Sequence, residues 1–184
     1  HSGLMKSSAK NLHDKVDMGP IEAVMSLPPA PIMLIGAGEK EHNVTTIGMF
    51  NLFSMQPVLL GIGVKTSRNL FKLLDETPDF SVNVPSKDMV DQVIQCGEKS
   101  GSRINKFEDV GLTPVPGKRI ISPSVGECIM NIECKRKEVI EIGDHHWFLG
   151  EVVHTDLLED YDRGNALQYW DGEYRTVGKI IKKV

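Results

Sequence analysis

Residues 43–64 read NVTTIGMFNLFSMQPVLLGIGV, and residues 65–86 continue as KTSRNLFKLLDETPDFSVNVPS. The first segment holds two strand-length runs, NVTTIGMF and PVLLGIGV, separated by a loop that ends in Pro57. The second opens on Arg68, with Thr66, Ser67 and Asn69 as neighbouring donors, and turns helical from about Asn69 to Glu76 with Leu70, Leu73 and Leu74 on its buried side. A helix start presents free N–H groups and the positive end of its dipole, so an anion such as a phosphate is favoured there. The strand FSVNVP follows.

Upstream, a short helix after Pro20 is stopped by Pro28 and Pro29 and delivers the chain into PIMLIGAG, a first strand. Downstream, Ser86 is placed to cap a helix carrying Met89, Val90, Val93 and Ile94 on one side. Residues 97–125 are rich in Gly, Ser and Pro without a sustained period, and long irregular stretches in compact domains are often functional. From Cys128 to Ile142 apolar and polar residues alternate, Gly143-Asp144 reads as a hairpin turn, and HHWFLGEVVHTDLL returns. A last pair, LQYW and EYRTVGKII, flanks Asp171-Gly172. Many strands, few helices and hairpin punctuation predict a mainly β chain folded as an antiparallel barrel, not a doubly wound sheet.

A chain of 184 residues suits one domain, assigned to 20–184; residues 1–19 are read as an extension, with His1–Leu4 ahead of Met5 a tag remnant. A net charge of −4 and 6% aromatic residues give neither a basic field nor stacking surfaces, so nucleic acid is not an expected partner. The apolar run around Ile32–Ile35 is too short to span a bilayer, so no membrane is expected either. Cys96, Cys128 and Cys134 form no C-x-x-C pair, which favours a reducing, cytoplasmic setting over a disulfide framework. Asn43-Val44-Thr45 matches a glycosylation acceptor by chance in such a compartment.

Gly36-Ala37-Gly38 and Gly61-Ile62-Gly63 lack the third glycine and the following helix of a dinucleotide fingerprint. A different pattern accumulates along the chain: Asn43 to Gly48, the Pro57 turn, Arg68, Phe80 to Pro85, Cys96-Gly97, Ser100-Gly101, Lys106-Phe107, Glu133-Cys134 and Gly143-Asp144-His145. In order and spacing, over roughly residues 31–153, it resembles the flavin reductase-like family, and within it the flavoredoxin type, an FMN-binding split barrel. Many short unrelated motifs agree, and that agreement carries the resemblance.

The resemblance implies an antiparallel split β-barrel that binds FMN, with NADH or NADPH as electron donor and free flavin, a metal complex or a redox partner protein as acceptor. It also implies a homodimer, because family members place the flavin near a subunit interface. Asn43, Thr45, Thr46, Ile47, Gly48 and Met49 are expected along the flavin ring, Met49 standing where the family often carries an aromatic. A thioether is polarizable enough to cover a ring face. Arg68 matches the phosphate-side arginine, and since Leu70 replaces a usual hydroxyl, Thr66, Ser67 or Asn69 would supply that bond. Ser100 and Lys106 fall in the long irregular segment, where the family lysine reaches phosphate or ribityl chain. His145 matches the family histidine, expected to orient a ligand or steady charge on reduced flavin, with His146 on the opposite face. Tyr169 and Trp170 are expected either to close over the flavin, to meet a second subunit or to pack in the core. His145, His146 and His154 lack a carboxylate set of convincing spacing, so no metal is expected. Two alternatives stay open: an FMN electron carrier without NAD(P)H activity, and a barrel-fold binding protein that has lost flavin.

Overall fold

A computed structural model describes residues 14–99 and 105–184. In chain order its elements are α1 (Pro20–Met25), β1 (Ala30–Pro31), β2 (Met33–Ala37), β3 (Asn43–Ile47), β4 (Phe50–Met55), β5 (Val58–Val64), α2 (Asn69–Glu76), β6 (Asp79–Val84), α3 (Val90–Glu98), α4 (Lys106–Val110), β7 (Pro114–Val115), β8 (Ser124–Val125), β9 (Met130–Ile142), β10 (His145–Leu157), β11 (Gln168–Trp170) and β12 (Glu173–Arg175). Seven strands form one antiparallel sheet in the order β3-β2-β6-β9-β10-β5-β4.

That order forces a barrel. β3 and β4 lie at opposite ends of the sheet, yet only Gly48 and Met49 separate them in the chain. Six strand spacings in a flat sheet would hold the ends roughly 29 Å apart. The three peptide links from Ile47 to Phe50 reach no more than roughly 11 Å. The sheet therefore curls until its two edge strands come together at that corner without closing, and the Gly63 N–H, donating to the Met49 carbonyl at 2.8 Å, carries the β4–β5 pairing one residue into the link. Met33, Ile35, Ile47, Ile62, Val64, Phe80, Val82 and Phe148 fill the inside. Leu70, Leu73 and Leu74 of α2 pack against that core, as their i, i+3, i+4 spacing dictates. A second cluster lies outside the sheet, where Val93 and Cys96 of α3 and Phe107 of α4 meet Leu34 and Val44.

β6 shows why the long irregular segment stays in place. Its Phe80, Val82 and Val84 face the core, while Asp79, Ser81 and Asn83 face residues 118–125. The Asp79 carboxylate accepts from the Ile121 and Ser122 amides at 2.8 and 2.9 Å, the Ser81 hydroxyl donates to the Pro123 carbonyl at 2.6 Å, and Asn83 accepts from the Val125 amide. From β9, Glu133 accepts from the Lys118 and Arg119 amides. Side chains thus satisfy a backbone that, apart from the two-residue pairing of β7 with β8, has no ladder of its own.

Several local expectations shift. FNLFSM is a strand and not a loop: its lack of alternation reflects an edge strand, half-buried at Phe50 and exposed through most of its length. Ser86 precedes a short 3-10 turn and makes no side-chain capping bond, so α3 starts at Val90. The final strand ends at Arg175, ahead of the apolar residues of EYRTVGKII. Gly36 and Gly61 serve close packing: a Cβ at Gly36 would strike the Pro123 carbonyl, and one at Gly61 the Phe53 ring. No helix among the described residues is long and apolar enough to cross a membrane.

Candidate functional site

The barrel seam opens into a partly open cleft of about 170 Å³. Thr45, Thr46, Ile47, Gly48 and Met49 form one wall, where β3 bends into β4. The end of β5 brings Gly63, Val64 and Lys65, and the start of α2 brings Arg68 and Leu70. His145 enters because β10 pairs with β5 in the register His146 to Val64, which sets the first residue of β10 beside Lys65. Trp170, at the end of β11, completes the rim, its indole N–H donating to the Val24 carbonyl at 2.7 Å. A Cβ built on Gly48 would meet nothing within 4 Å, so the bend itself leaves room at the wall.

Cations outnumber anions around this cleft. Arg68 is exposed and, among the described residues, has neither a carboxylate nor a hydrogen-bonding side-chain partner. Asp144 accepts from His145 Nδ1 at 2.7 Å and lies 3.9 Å from the Lys65 ammonium. The hydrogen bond from His145 holds the Asp144 carboxyl below its ordinary value. An ionised carboxylate only accepts, so the His145 proton sits on Nδ1 and leaves Nε2 as the free ring atom. His146 faces the other way, edge-on to Phe71 at 5.1 Å.

Lys106 is not the mobile loop cation that its surroundings in the sequence suggest. It opens α4, is 3% exposed, and its ammonium donates to the Thr45 hydroxyl at 3.1 Å and to the Cys96 carbonyl at 2.8 Å. Its amide donates to Asn43 Oδ1, which also accepts from the Val44 amide. Burial pushes its pKa down to about 8, with Cys96 opposing and Arg68 reinforcing that fall. The same burial pushes the Cys96 thiol up to about 11, so this cysteine is no thiolate nucleophile.

The other residues singled out from sequence divide. Thr46 lines the cleft, but its hydroxyl donates to the Val93 carbonyl at 2.6 Å. Thr66 and Ser67 are exposed in the turn before α2 and lie outside the cleft lining. Asn43 is buried behind the wall. Tyr169 stacks on Tyr174 with ring centroids 4.6 Å apart, against the outer cluster and away from the cleft. Ser100 lies outside the described residues. Gly63, Val64 and Lys65 escaped sequence reading, and their one signal was position, at the end of the strand preceding Arg68. A second juxtaposition also escaped it: His154 pairs with Glu133 across β9 and β10, and with Asp156 their ligand-type atoms lie within 4.8 Å. Both carboxylates are already engaged, Glu133 by the Lys118 and Arg119 amides and Asp156 by the Lys118 ammonium.

A curled antiparallel sheet with a cationic, apolar-walled cleft at its seam can hold an anionic, planar molecule. The chain matches the model of the flavin reductase like domain over residues 25–178, and it belongs to that family of split-barrel proteins. An uncharacterised protein of Archaeoglobus fulgidus is 37% identical over 127 residues, covering 69% of this chain and 72% of its own length. The solved structure of the flavoredoxin of Desulfovibrio vulgaris (Miyazaki F) superposes with a TM-score of 0.83 at 26% identity, covering 92% of this chain and 96% of that one. A more distant relative, the NADH-dependent FAD reductase of Streptomyces globisporus, is 24% identical over 135 residues, 68% of each chain.

Proposed function

We propose that this chain is a flavoprotein oxidoreductase that holds FMN in the seam cleft and moves electrons from NADH or NADPH to free flavin, a metal complex or a partner protein. One observation carries the reading: a guanidinium unpartnered among the described residues shares an open cleft with a bent strand and with Met49, Val64, Leu70 and Trp170. A flavin needs that combination, since its phosphate seeks charge, its ring edges seek main-chain and hydroxyl partners, and its ring faces seek apolar cover. Arg68 and the first amides of α2 would take the phosphate. Thr45 and the backbone of Ile47 to Met49 would meet the ring or ribityl chain, with Met49 against a ring face. Bound FMN supplies the two-electron chemistry, and the protein supplies orientation and electrostatics. His145, its Nδ1 committed to Asp144, would present Nε2 to a ligand in the cleft and orient it or steady its negative charge.

A homodimer accords with the exposed Leu52, Phe53, Met55 and Val58 of the β4–β5 hairpin, an apolar surface that a second subunit would cover. The likeness to flavoredoxin favours one further reading, a carrier reduced by another protein and not by nicotinamide. The visible spectrum of the purified protein, recorded anaerobically before and after NADH and then NADPH, tests both. A bound-flavin spectrum that bleaches promptly supports the reductase and names its donor. One that stays oxidised supports the carrier, and no flavin after reconstitution refutes the cofactor assignment.

A further inference from the structure

We propose that Lys106 is a positioning residue that acts through the Thr45 hydroxyl, so that it serves the ring and ribityl portion of the bound flavin and not its phosphate. This rests on the FMN reading above and adds to it the route by which a buried cation reaches the ligand.

Lys106 is almost fully enclosed, so its ammonium does not itself open on the cleft. Thr45 does line the cleft. The ammonium has hydrogens only, so in the 3.1 Å contact between them Thr45 Oγ1 must be the acceptor. The single hydroxyl hydrogen then points away from Lys106, and among the described residues Thr45 donates it to nothing. A buried hydroxyl that lacks an acceptor is costly. The ligand is the partner that completes it. Its counterpart must accept, as a carbonyl oxygen, a ring nitrogen or a ribityl oxygen does, and the ammonium behind the hydroxyl polarises the bond.

The second ammonium contact holds this geometry. The Cys96 carbonyl, in the last turn of α3, takes another hydrogen at 2.8 Å, and the Lys106 amide is tied to Asn43 Oδ1 at 3.0 Å. Lys106 is thereby fastened at both ends. Among the described residues no carboxylate pairs with it, and the one acid of α4 that forms an ion pair, Asp109, is taken by Lys99. Among the described residues no carboxylate offsets the burial of the ammonium, which is the pattern of a group kept for its effect on a neighbour.

FMN and riboflavin differ by the phosphate alone, so titrating each into the flavin-free full chain, followed by flavin fluorescence, separates a phosphate contact from a relay. Lys106→Met is expected to weaken both flavins by roughly tenfold, the loss of a charge-assisted bond. Thr45→Val is expected to do the same, Thr45→Ser to stay within about threefold of the wild type, and Lys106→Met with Thr45→Val to lose little beyond the worse single change. Arg68→Ala, by contrast, is expected to weaken FMN alone. Should Lys106→Met not fold, Lys106→Gln keeps a donor without the charge and is expected to lose a smaller but equal factor for both flavins. A Lys106 variant that loses FMN while holding riboflavin as before overturns the relay and leaves the FMN assignment intact. Multiplying losses in the double variant overturn it too. A wild type that binds neither flavin overturns the assignment and the relay together.

Discussion

Replacing Lys106 by Met is expected to stabilise the flavin-free protein at neutral pH. The fall of its pKa from 10.5 to about 8 corresponds to roughly 3 kcal/mol of unfavourable burial at about 1.4 kcal/mol per pH unit. The folded-state value lies below the unfolded one, so between pH 8 and 10.5 the unfolded chain holds more protons and stability rises with pH. Below pH 8 both states are protonated and the full penalty applies; by pH 10 only about 1 kcal/mol of it remains. Methionine also forfeits the hydrogen bonds to Thr45 and the Cys96 carbonyl, about 1 kcal/mol each. The variant should therefore be more stable by about 1–2 kcal/mol at pH 7 and less stable by about 1 kcal/mol at pH 10. The buried cysteines work in the opposite direction above pH 9, since their raised pKa values keep them protonated in the folded state. They are common to both proteins, so the difference between the two is the quantity to follow, by urea unfolding of each at pH 7 and pH 10. A variant less stable at pH 7, or a gap that ignores pH, would refute the view that this lysine is retained at a cost to stability.

Other changes test separate parts of the account. Arg68→Ala should weaken FMN by about tenfold at low ionic strength and by less at high salt, because an exposed charge is screened; isothermal titration at two salt concentrations measures it. Gly150→Ala should cost about 1–3 kcal/mol, since its Cβ would lie 2.6 Å from Phe80 Cζ and 2.7 Å from Cys134 Cβ, and urea midpoints will show whether it does. Asp79→Ala removes the acceptor of the Ile121 and Ser122 amides, so proteolysis around residues 118–125 should quicken well before global unfolding. All three thiols should react with a disulfide reagent at pH 8 only after denaturant is added, because burial raises the pKa of each.

How far the site could be read ahead of the structure depended on the kind of residue. Arg68 was legible because a local feature, a polar run before an apolar i, i+3, i+4 face, marks a helix start in any fold. Gly48 and Met49 were legible only through resemblance, and their physical role as the hinge on which the sheet curls follows from the strand order. Lys106 was legible as a candidate through resemblance, but its enclosed setting was not. A lysine among Gly, Ser and Asn reads as solvated, and nothing nearby in sequence announces that β3 and α3 will enclose it with Thr45 and the Cys96 carbonyl. Tyr169 and Trp170 are adjacent, yet alternation along β11 sends Trp170 to the cleft and Tyr169 to Tyr174.

The sequence by itself determined the elements: the alternation of β9, the leucine face of α2 and the turns at Pro57, Gly143-Asp144 and Asp171-Gly172 are set by interactions a few residues apart. It also determined, through the order of its motifs, the family to which the chain belongs. Only the tertiary structure decided that the two ends of the sheet meet, that His145 comes beside Lys65, and that Lys106 is buried behind Thr45. Those placements depend on pairings between segments about 60 to 90 residues apart, such as β5 with β10 and Lys106 with Thr45. Local periodicity carries no record of such pairings, because a strand's pattern states which face is buried and not which strand will lie beside it.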